Sequence, residues 1–557
     1  MLRQQEIKKR KENFCDYAFL NGSVITVDQT DTIFEAIGIK DNKILWVGSN
    51  EEVKEFVSDE TTIYDLKGKT LMPGINDTHF HPILSGLLGP TADSGMIDTT
   101  TKNCPTLEEM FNKIREALKT REAGEWISMM GYEPMLFEDE KRHPTLQELD
   151  EIAPDNPVHC MHGGGHICMY NSKALEYLEI YSAEDAEKFP EDEVEVIDGK
   201  LTGQLRGHTH FKLWGKVEYT EEMQTKAAMK SYQVAIENGI TSVGDMGEAG
   251  KTSYRIMQQL TNERKFKVRV SMALHSIFGK EYSLADNDNW MELGFTSGLG
   301  NEYFRVGPSK FMIDGGSGGP SCATREPYSH DPTMVREKGW GRQETSDYMW
   351  KLYQAGNQIT AHAIGDEAVE YMIEGFERCF EDDPEKFRSM RHRIEHCTLV
   401  DQDLIDRMAK MNICPSVNAG LVQMLGANYM KFYGERNQYL GALKSMLEAG
   451  VMCSLHSDSP SGPIGLNTLD GAVNRYDRVQ QVQCDRTQAV SVLDAIRVAT
   501  YTGAYATFEE KIKGSLEPGK LADLIVLSEN ILKIDPMTIN ELTVELTMID
   551  GEIVFEP

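Results

Sequence analysis

Along residues 16–72 apolar and polar positions alternate in short runs, DYAFLNGSVITVD, TIFEAIGIKDNKILWVG and TIYDLKGKTLMPG, broken at Asn-Gly and Asp-Asn pairs. A period of two with β-branched residues and turn formers between the runs predicts strands joined by tight turns. The other end of the chain has the same texture, in GSLEPGKLADLIVLSEN and LTVELTMIDGEIVFEP. Chain termini tend to lie close together, so the two ends predict one small β-sandwich domain, 16–72 plus 506–557, preceded by a tail over 1–15. Residues 73–505 behave differently. Short apolar runs alternate there with amphipathic stretches such as EEMQTKAAMKSYQVAIENG and DEAVEYMIEGFERCF. Strand–helix alternation at this length predicts an α/β fold with a parallel sheet, and eight repeats close a (β/α)8 TIM-type barrel. Nine runs compete for the eight places: GINDTHFH, NPVHCMHG, GITSVGDM, FKVRVSMAL, FRVGPSKFMID, NQITAHA, MRHRIEHC, MNICPSV and GVMCSLHSD. One of them therefore belongs elsewhere. The irregular, acidic stretch over about 132–220 is the expected insertion, and its charge run AEDAEKFPEDEVEVIDGK reads as a solvated face.

Charge and composition narrow the function. The net charge of −31 opposes binding to nucleic acid or to an anionic membrane, whose phosphates would be repelled. No apolar run approaches the roughly twenty residues of a membrane span. The basic patch Lys8 to Lys11 lacks an apolar segment behind it, so it reads as a solvated tail rather than a secretory signal. The ten cysteines contain no C-x-x-C pair, a pattern that suits reduced, buried thiols in a cytoplasm.

The chemistry concentrates at the ends of the predicted strands. In DTHFHP, His79 and His81 are two apart, so on a strand they share a face and could hold one divalent ion. Alone the pattern is weak, and the chain carries a second copy, His208 and His210 in GHTH, which reads as an exposed or substrate-side loop. What raises the first pair is its company: His362 ends NQITAHA, His396 ends RHRIEHC and Asp458 ends VMCSLHSD. Barrel enzymes build their sites at that end of the strands. Lys310, inside the apolar run VGPSKFMID, is expensive to bury as an ammonium. It reads either as the partner of Asp314 in a buried salt bridge or as a neutral amine that has captured carbon dioxide and bridges two metals as a carbamate. The Gly-rich stretch Asp314 to Gly319 lacks the Lys-Ser/Thr of a phosphate-binding loop and reads as a strand-to-helix loop at the pocket mouth.

The order HxH, strand-end Lys, His, His, Asp, framed by split β termini, resembles the amidohydrolase superfamily. The phrases LMPGINDTHFHP, RHPTLQELDEIAPDNPVHCMHGGGHICMYNSKAL, GITSVGDMG, VGPSKFMIDGGSGG, TAHAIGDEAV, HSDSP and GSLEPGKLADLIVL resemble its YtcJ-like subgroup, amidohydrolase family 3. That resemblance implies a first metal on His79 and His81, shared with Asp458, a second on His362 and His396, and a carboxylated Lys310 between them. It implies zinc or a similar ion, one or two per site, and a homodimer. It also implies that His166 and Asn171 line the substrate pocket, with His166 polarising a carbonyl; read from the residues alone, they serve equally as a buried polar pair supporting the turn into the helix NSKALEYL. His456, on the face of Asp458, reads as a packed strand histidine before a support for the metal ligands or a substrate contact.

A metal-activated water attacking an acyl carbon, with Asp458 as general base, is the expected mechanism. The expected reaction is hydrolysis of a C–N bond in an amide, an N-formyl or N-acyl amine, or a cyclic amide, on a small-molecule substrate. A deaminase of this superfamily resembles its relatives in a His-x-x-Glu after the fifth strand, whereas His362 is followed by Ala363, Ile364 and Gly365. Ester hydrolysis suits the same attack, and a non-catalytic scaffold would be expected to have lost ligands that this chain keeps. Met424, Tyr429, Met430, Phe432 and Tyr433 read either as an apolar pocket wall or as helix core.

Overall fold

A computed structural model of the chain describes residues 14–557 apart from 249, 276–284, 335, 337 and 338, with the side chains of 285 and 286 also outside the described set. The patch Lys8 to Lys11 lies outside the described residues.

Eight strands form the central sheet: β1 (Ile75–Phe80), β2 (Ile240–Asp245), β3 (Arg269–Leu274), β4 (Phe304–Met312), β5 (Ile359–Ala363), β6 (Arg393–His396), β7 (Cys414–Val417) and β8 (Ser454–Leu455). Each ladder between neighbours is parallel. Such strands are covered on both faces, which is why they read as near-continuous apolar runs. The seam between β8 and β1 is stitched without a ladder. The Asp458 amide donates to the His79 carbonyl at 2.9 Å, and the His81 amide donates to the Ser459 carbonyl at 3.2 Å. Thr78 Oγ1 reaches the Leu455 carbonyl at 3.0 Å. The architecture is thus a TIM-type barrel.

Five helices matter for the site: α1 (Pro82–Leu87), α2 (Gly207–Trp214), α3 (Glu221–Glu237), α4 (Asp366–Asp382) and α5 (Val422–Tyr433). Two of them, α3 and α4, are the amphipathic stretches expected from the sequence. Thr220 caps α3 by accepting from the Met223 amide.

The ninth strand candidate, NPVHCMHG, is strand Val158–His162 of a separate seven-stranded sheet inserted between β1 and β2. That sheet begins at Leu88–Gly89 and runs through Met96–Asp98 and Ile127–Tyr132 to Lys200–Arg206. The insertion therefore starts well before residue 132. Its first strands are only two or three residues long, too short to leave a period in the sequence. Both faces of the sheet are covered. Ile97, Met129, Val158 and Cys160 pack with Phe111 and Ile114, while Met161, Cys168 and Tyr170 join the main core.

Strands from the two ends of the chain pair, Leu524–Leu527 running antiparallel with Thr70–Pro73. A four-stranded and a six-stranded sheet result. Phe19, Ile37, Val47, Leu71, Leu524 and Met548 share one buried cluster across them.

Candidate active site

β1 carries Asp77 and His79 on one face, and His81 sits at the N-cap of α1, whose first residue is Pro82. Proline fits the first helical position because its missing amide would lack a partner there anyway. His79 Nδ1 faces the Glu395 carboxylate at 2.9 Å, and His81 Nδ1 faces the Gly247 carbonyl at 2.8 Å. Both partners are acceptors, so each Nδ1 bears a hydrogen and Nε2 is the ring nitrogen turned to the site. Those two Nε2 atoms lie 3.4 and 3.3 Å from Asp458 Oδ1. Two imidazole nitrogens and a carboxylate oxygen thus converge, a set that suits a shared proton or a cation. Burial holds His79 well below the ordinary histidine pKa, which disfavours the proton on it.

The orientation of His79 depends on a buried polar network. Glu395 accepts from Arg393 at 2.8–3.0 Å and from Thr360 Oγ1 at 2.6 Å, and both Arg393 and Glu395 are fully buried. Arg393 also donates to the Thr78 carbonyl at 2.8 Å, which ties β6 back to β1.

Lys310, on β4, is buried with Nζ 3.2 Å from His79 Nε2. Burial pushes its amine down to about 8, against the opposing pull of Glu395 and Asp458. Asp314 is not its partner: that carboxylate accepts from the amides of Ala323, Ile364 and Gly365 at 2.9–3.0 Å and so holds the loop that leads into α4. The salt-bridge reading of Lys310 with Asp314 is therefore not what the structure holds.

The rings of His362 and His396 lie 4.5 Å apart, and His396 is 4.7 Å from His79. His362 donates from Nε2 to the Gly315 carbonyl at 3.1 Å, leaving Nδ1 as its lone pair. Burial keeps both rings well below the usual histidine range, hence neutral and fit to ligate. His396 and Asp458 have left-handed backbone, φ 68° and 57°. A non-glycine residue there costs on the order of 1–3 kcal/mol and persists only where its surroundings hold it.

These groups sit at the floor of a cavity walled by Met130, Met161, Phe211, Trp214, Met424 and Leu425. His166 lines it too. Its ring is 4.6 Å from that of His362, its Nδ1 has no hydrogen-bond partner, and burial pushes its pKa down to about 4.

A family model described as Amidohydrolase family matches residues 62–555. The chain belongs to the amidohydrolase family. As a member it is a hydrolase acting on carbon–nitrogen bonds, and the cluster above is its candidate metal site. The amidohydrolase is 25% identical to the N-substituted formamide deformylase of Arthrobacter pascens, over 97% of this chain and 98% of that one. It is 26% identical to the putative amidohydrolase YtcJ of Bacillus subtilis (strain 168), over 96% and 98%. In fold it matches the crystal structure of an uncharacterized metal-dependent hydrolase from Pyrococcus furiosus, with a TM-score of 0.68, 24% identity, and coverage of 94% of this chain and 99% of that one.

Of the residues singled out in the sequence, the structure brings together His79, His81, Lys310, His362, His396, Asp458 and His166. Asn171 is elsewhere. Its Oδ1 accepts from the Val158 and Ala174 amides and its Nδ2 donates to the Ala153 and Asn156 carbonyls, so it caps the short helix Ser172–Leu175 with nothing left for a substrate. The GHTH motif is also not a loop. It opens α2, where residues two apart point to different sides, leaving His208 exposed and His210 buried. His456 is a buried strand-end ring, as expected, but both its nitrogens lack a partner and its ring is 4.8 Å from that of His79. It could join His79 and His396 around an ion. In α5, Met424 faces the cavity whereas Tyr429, Phe432 and Tyr433 are core.

Three groups escaped the sequence reading. Glu395 stands beside His396 in RHRIEHC, and its signal was a charge inside an apolar strand. Asp77 accepts from the Ser457 amide at 3.0 Å, and burial raises its carboxyl to about 7. Glu133 lines the cavity and meets His162 Nε2 at 3.0 Å, while His162 Nδ1 accepts from the Gly164 amide.

Proposed function

We propose that this amidohydrolase hydrolyses an N-formyl or N-acyl amine with a divalent cation, zinc by its ligand set, held by His79, His81 and Asp458. The observation that carries the reading is the convergence of two imidazole nitrogens and a carboxylate oxygen within 3.3–3.4 Å, with both Nδ1 atoms already committed. His362 and His396 would hold a second ion, with Lys310, carboxylated at its amine, between the two. When bound, such ions polarise the scissile carbonyl and acidify water near neutral pH.

The chain's own residues supply the rest. Asp458 keeps 21% side-chain exposure, enough to meet the attacking water. It takes that water's proton and delivers it to the departing amine nitrogen, so one carboxylate serves both halves of the reaction. His166 donates an N–H to the acyl oxygen as negative charge develops there. The methionines, Phe211 and Trp214 exclude water and receive the apolar body of the substrate. The relative that acts on N-substituted formamides makes that class the first to try. An amide rather than an amidine or aminopurine is favoured by Ile364 and Gly365, which stand where a deaminase would need its glutamate. The same reading takes the terminal sheets as a β-sandwich domain and the cytoplasm as the compartment, since all ten cysteines are free and buried. Among the described residues no helix is long and apolar enough to cross a membrane.

The test is a panel of N-formyl amines, N-acyl amines, esters and aminopurines, assayed on a sample whose metal content is measured in parallel. The reading expects formamide or amide turnover that is lost on chelation and restored by zinc. Turnover of esters or aminopurines alone would refute it.

A further inference from the structure

The inserted sheet holds a second set of ligating atoms that hydrolysis does not use. Strands Val158–His162 and Ile167–Tyr170 are antiparallel neighbours whose register pairs His159 with Tyr170 and Met161 with Cys168. Paired residues and residues two apart share a face, so His159, Met161, Cys168 and Tyr170 project together. α2 packs over that face and brings His210 onto it. One ligand atom from each of His159, Cys168 and His210 falls within 4.8 Å of the others, and all three residues are fully buried.

The hydrogen bonding of this group is incomplete. Neither ring nitrogen of His159 has a partner, and His210 Nε2 has none within strict hydrogen-bond geometry, only the Gly165 backbone nearby. His210 Nδ1 is spent on the Tyr170 hydroxyl at 2.9 Å. Cys168 Sγ has a weak contact with the Met169 carbonyl at 3.7 Å. The Trp214 ring covers both imidazoles, 5.6 Å from His159 and 5.9 Å from His210. Buried polar groups are nearly always paired, and a histidine with two idle nitrogens against an indole is poorly explained as packing.

We propose that His159, Cys168 and His210 bind a thiophilic cation, zinc(II) or copper(I), at a site separate from the hydrolytic centre. One sulfur and two imidazole nitrogens with no carboxylate select such ions over magnesium or calcium. Binding releases the Cys168 thiol proton to solvent and leaves both histidines neutral, the form in which burial already holds them. The site is closed, so its role is structural. It ties α2 to the inserted sheet, and α2 supplies Phe211 and Trp214 to the cavity wall. The ion thereby positions one side of the substrate pocket.

The hydrolytic centre contains no thiol, which makes the two sites separable in the full-length protein. Cobalt(II) loading of the wild type is expected to give a sulfur-to-metal charge-transfer band in the near ultraviolet that Cys168→Ala abolishes. In a His79→Ala, His81→Ala, His362→Ala, His396→Ala variant, anaerobic loading with zinc(II) or with copper(I) is expected to leave one tightly held ion per chain, lost when His159→Gln is added. The ion retained in the two arms tells which metal the site takes. Absence of the cobalt band in the wild type overturns the proposal without relying on any variant. So does ion retention that is unchanged by Cys168→Ala.

Discussion

The two ends of the barrel treat buried charge in opposite ways. At the amino ends of the strands, Arg269 on β3 meets both oxygens of Asp523 at 2.7 and 3.0 Å and Asp550 at 3.3 Å. Beside it Lys513 donates to Asn76 and Ser242 and pairs with Glu509. Each cation there has its anions, and the result joins the barrel to the terminal sheets. At the carboxyl ends, the nitrogens of several buried imidazoles and the Asp458 carboxylate crowd together, with the Lys310 amine beside them. The compensated end holds the fold together. The other end gathers ligating atoms that outnumber its lysine, as the proposed metal site requires.

That contrast can be broken from either side. Asp458→Asn should lower kcat by about 10²–10⁴, the range of general acid–base catalysis, while thermal unfolding stays near the wild type. A matching loss of stability would mean that Asp458 is structural. Asp523→Asn should do the reverse, costing about 3–5 kcal/mol because Arg269 would lose its main buried partner, with kcat of the folded enzyme unchanged. The same pair makes the fold acid-sensitive. Burial alone would raise the Asp523 carboxyl, but Arg269 outweighs it and holds the group below its ordinary 3.8. Its contribution is therefore complete above that value and is lost as pH falls through the lowered folded pKa. Denaturation curves between pH 5 and 2 should show the wild type losing this increment and Asp523→Asn lacking it throughout.

Glu395→Gln tests whether the network around His79 serves the ligand or the core. Loss of the carboxylate that fixes the His79 tautomer should weaken metal affinity by about 10–100-fold, read by competition with a chelator. The smallest effect is expected at His208, where replacement by Ala should leave kcat within about twofold because an exposed helical side chain meets no substrate.

His208 and His210 also show why the sequence was legible in one place and opaque in another. The spacing is identical to that of His79 and His81, but β1 puts residues two apart on one face and α2 does not. The strand behind His79 was readable because a parallel barrel strand is an apolar run. The start of the insertion was not, since strands such as Leu88–Gly89 are too short to show a period. His362, His396 and Asp458 could be placed because each closes such a run, and Lys310 because an ammonium is costly inside one. Asn171 stayed open because an asparagine ahead of a helix serves equally well as a cap or as a pocket group, and only its four backbone partners decide. Glu395 stayed hidden because a charge within an apolar strand does not announce its partners.

The most direct test of the central claim is anomalous diffraction from crystals of the active enzyme at the absorption edge of the metal it contains. A peak bonded to His79 Nε2, His81 Nε2 and Asp458, at the roughly 2.0–2.2 Å expected for nitrogen and oxygen ligands, is the predicted result. Active crystals with no anomalous peak among those three side chains would contradict it.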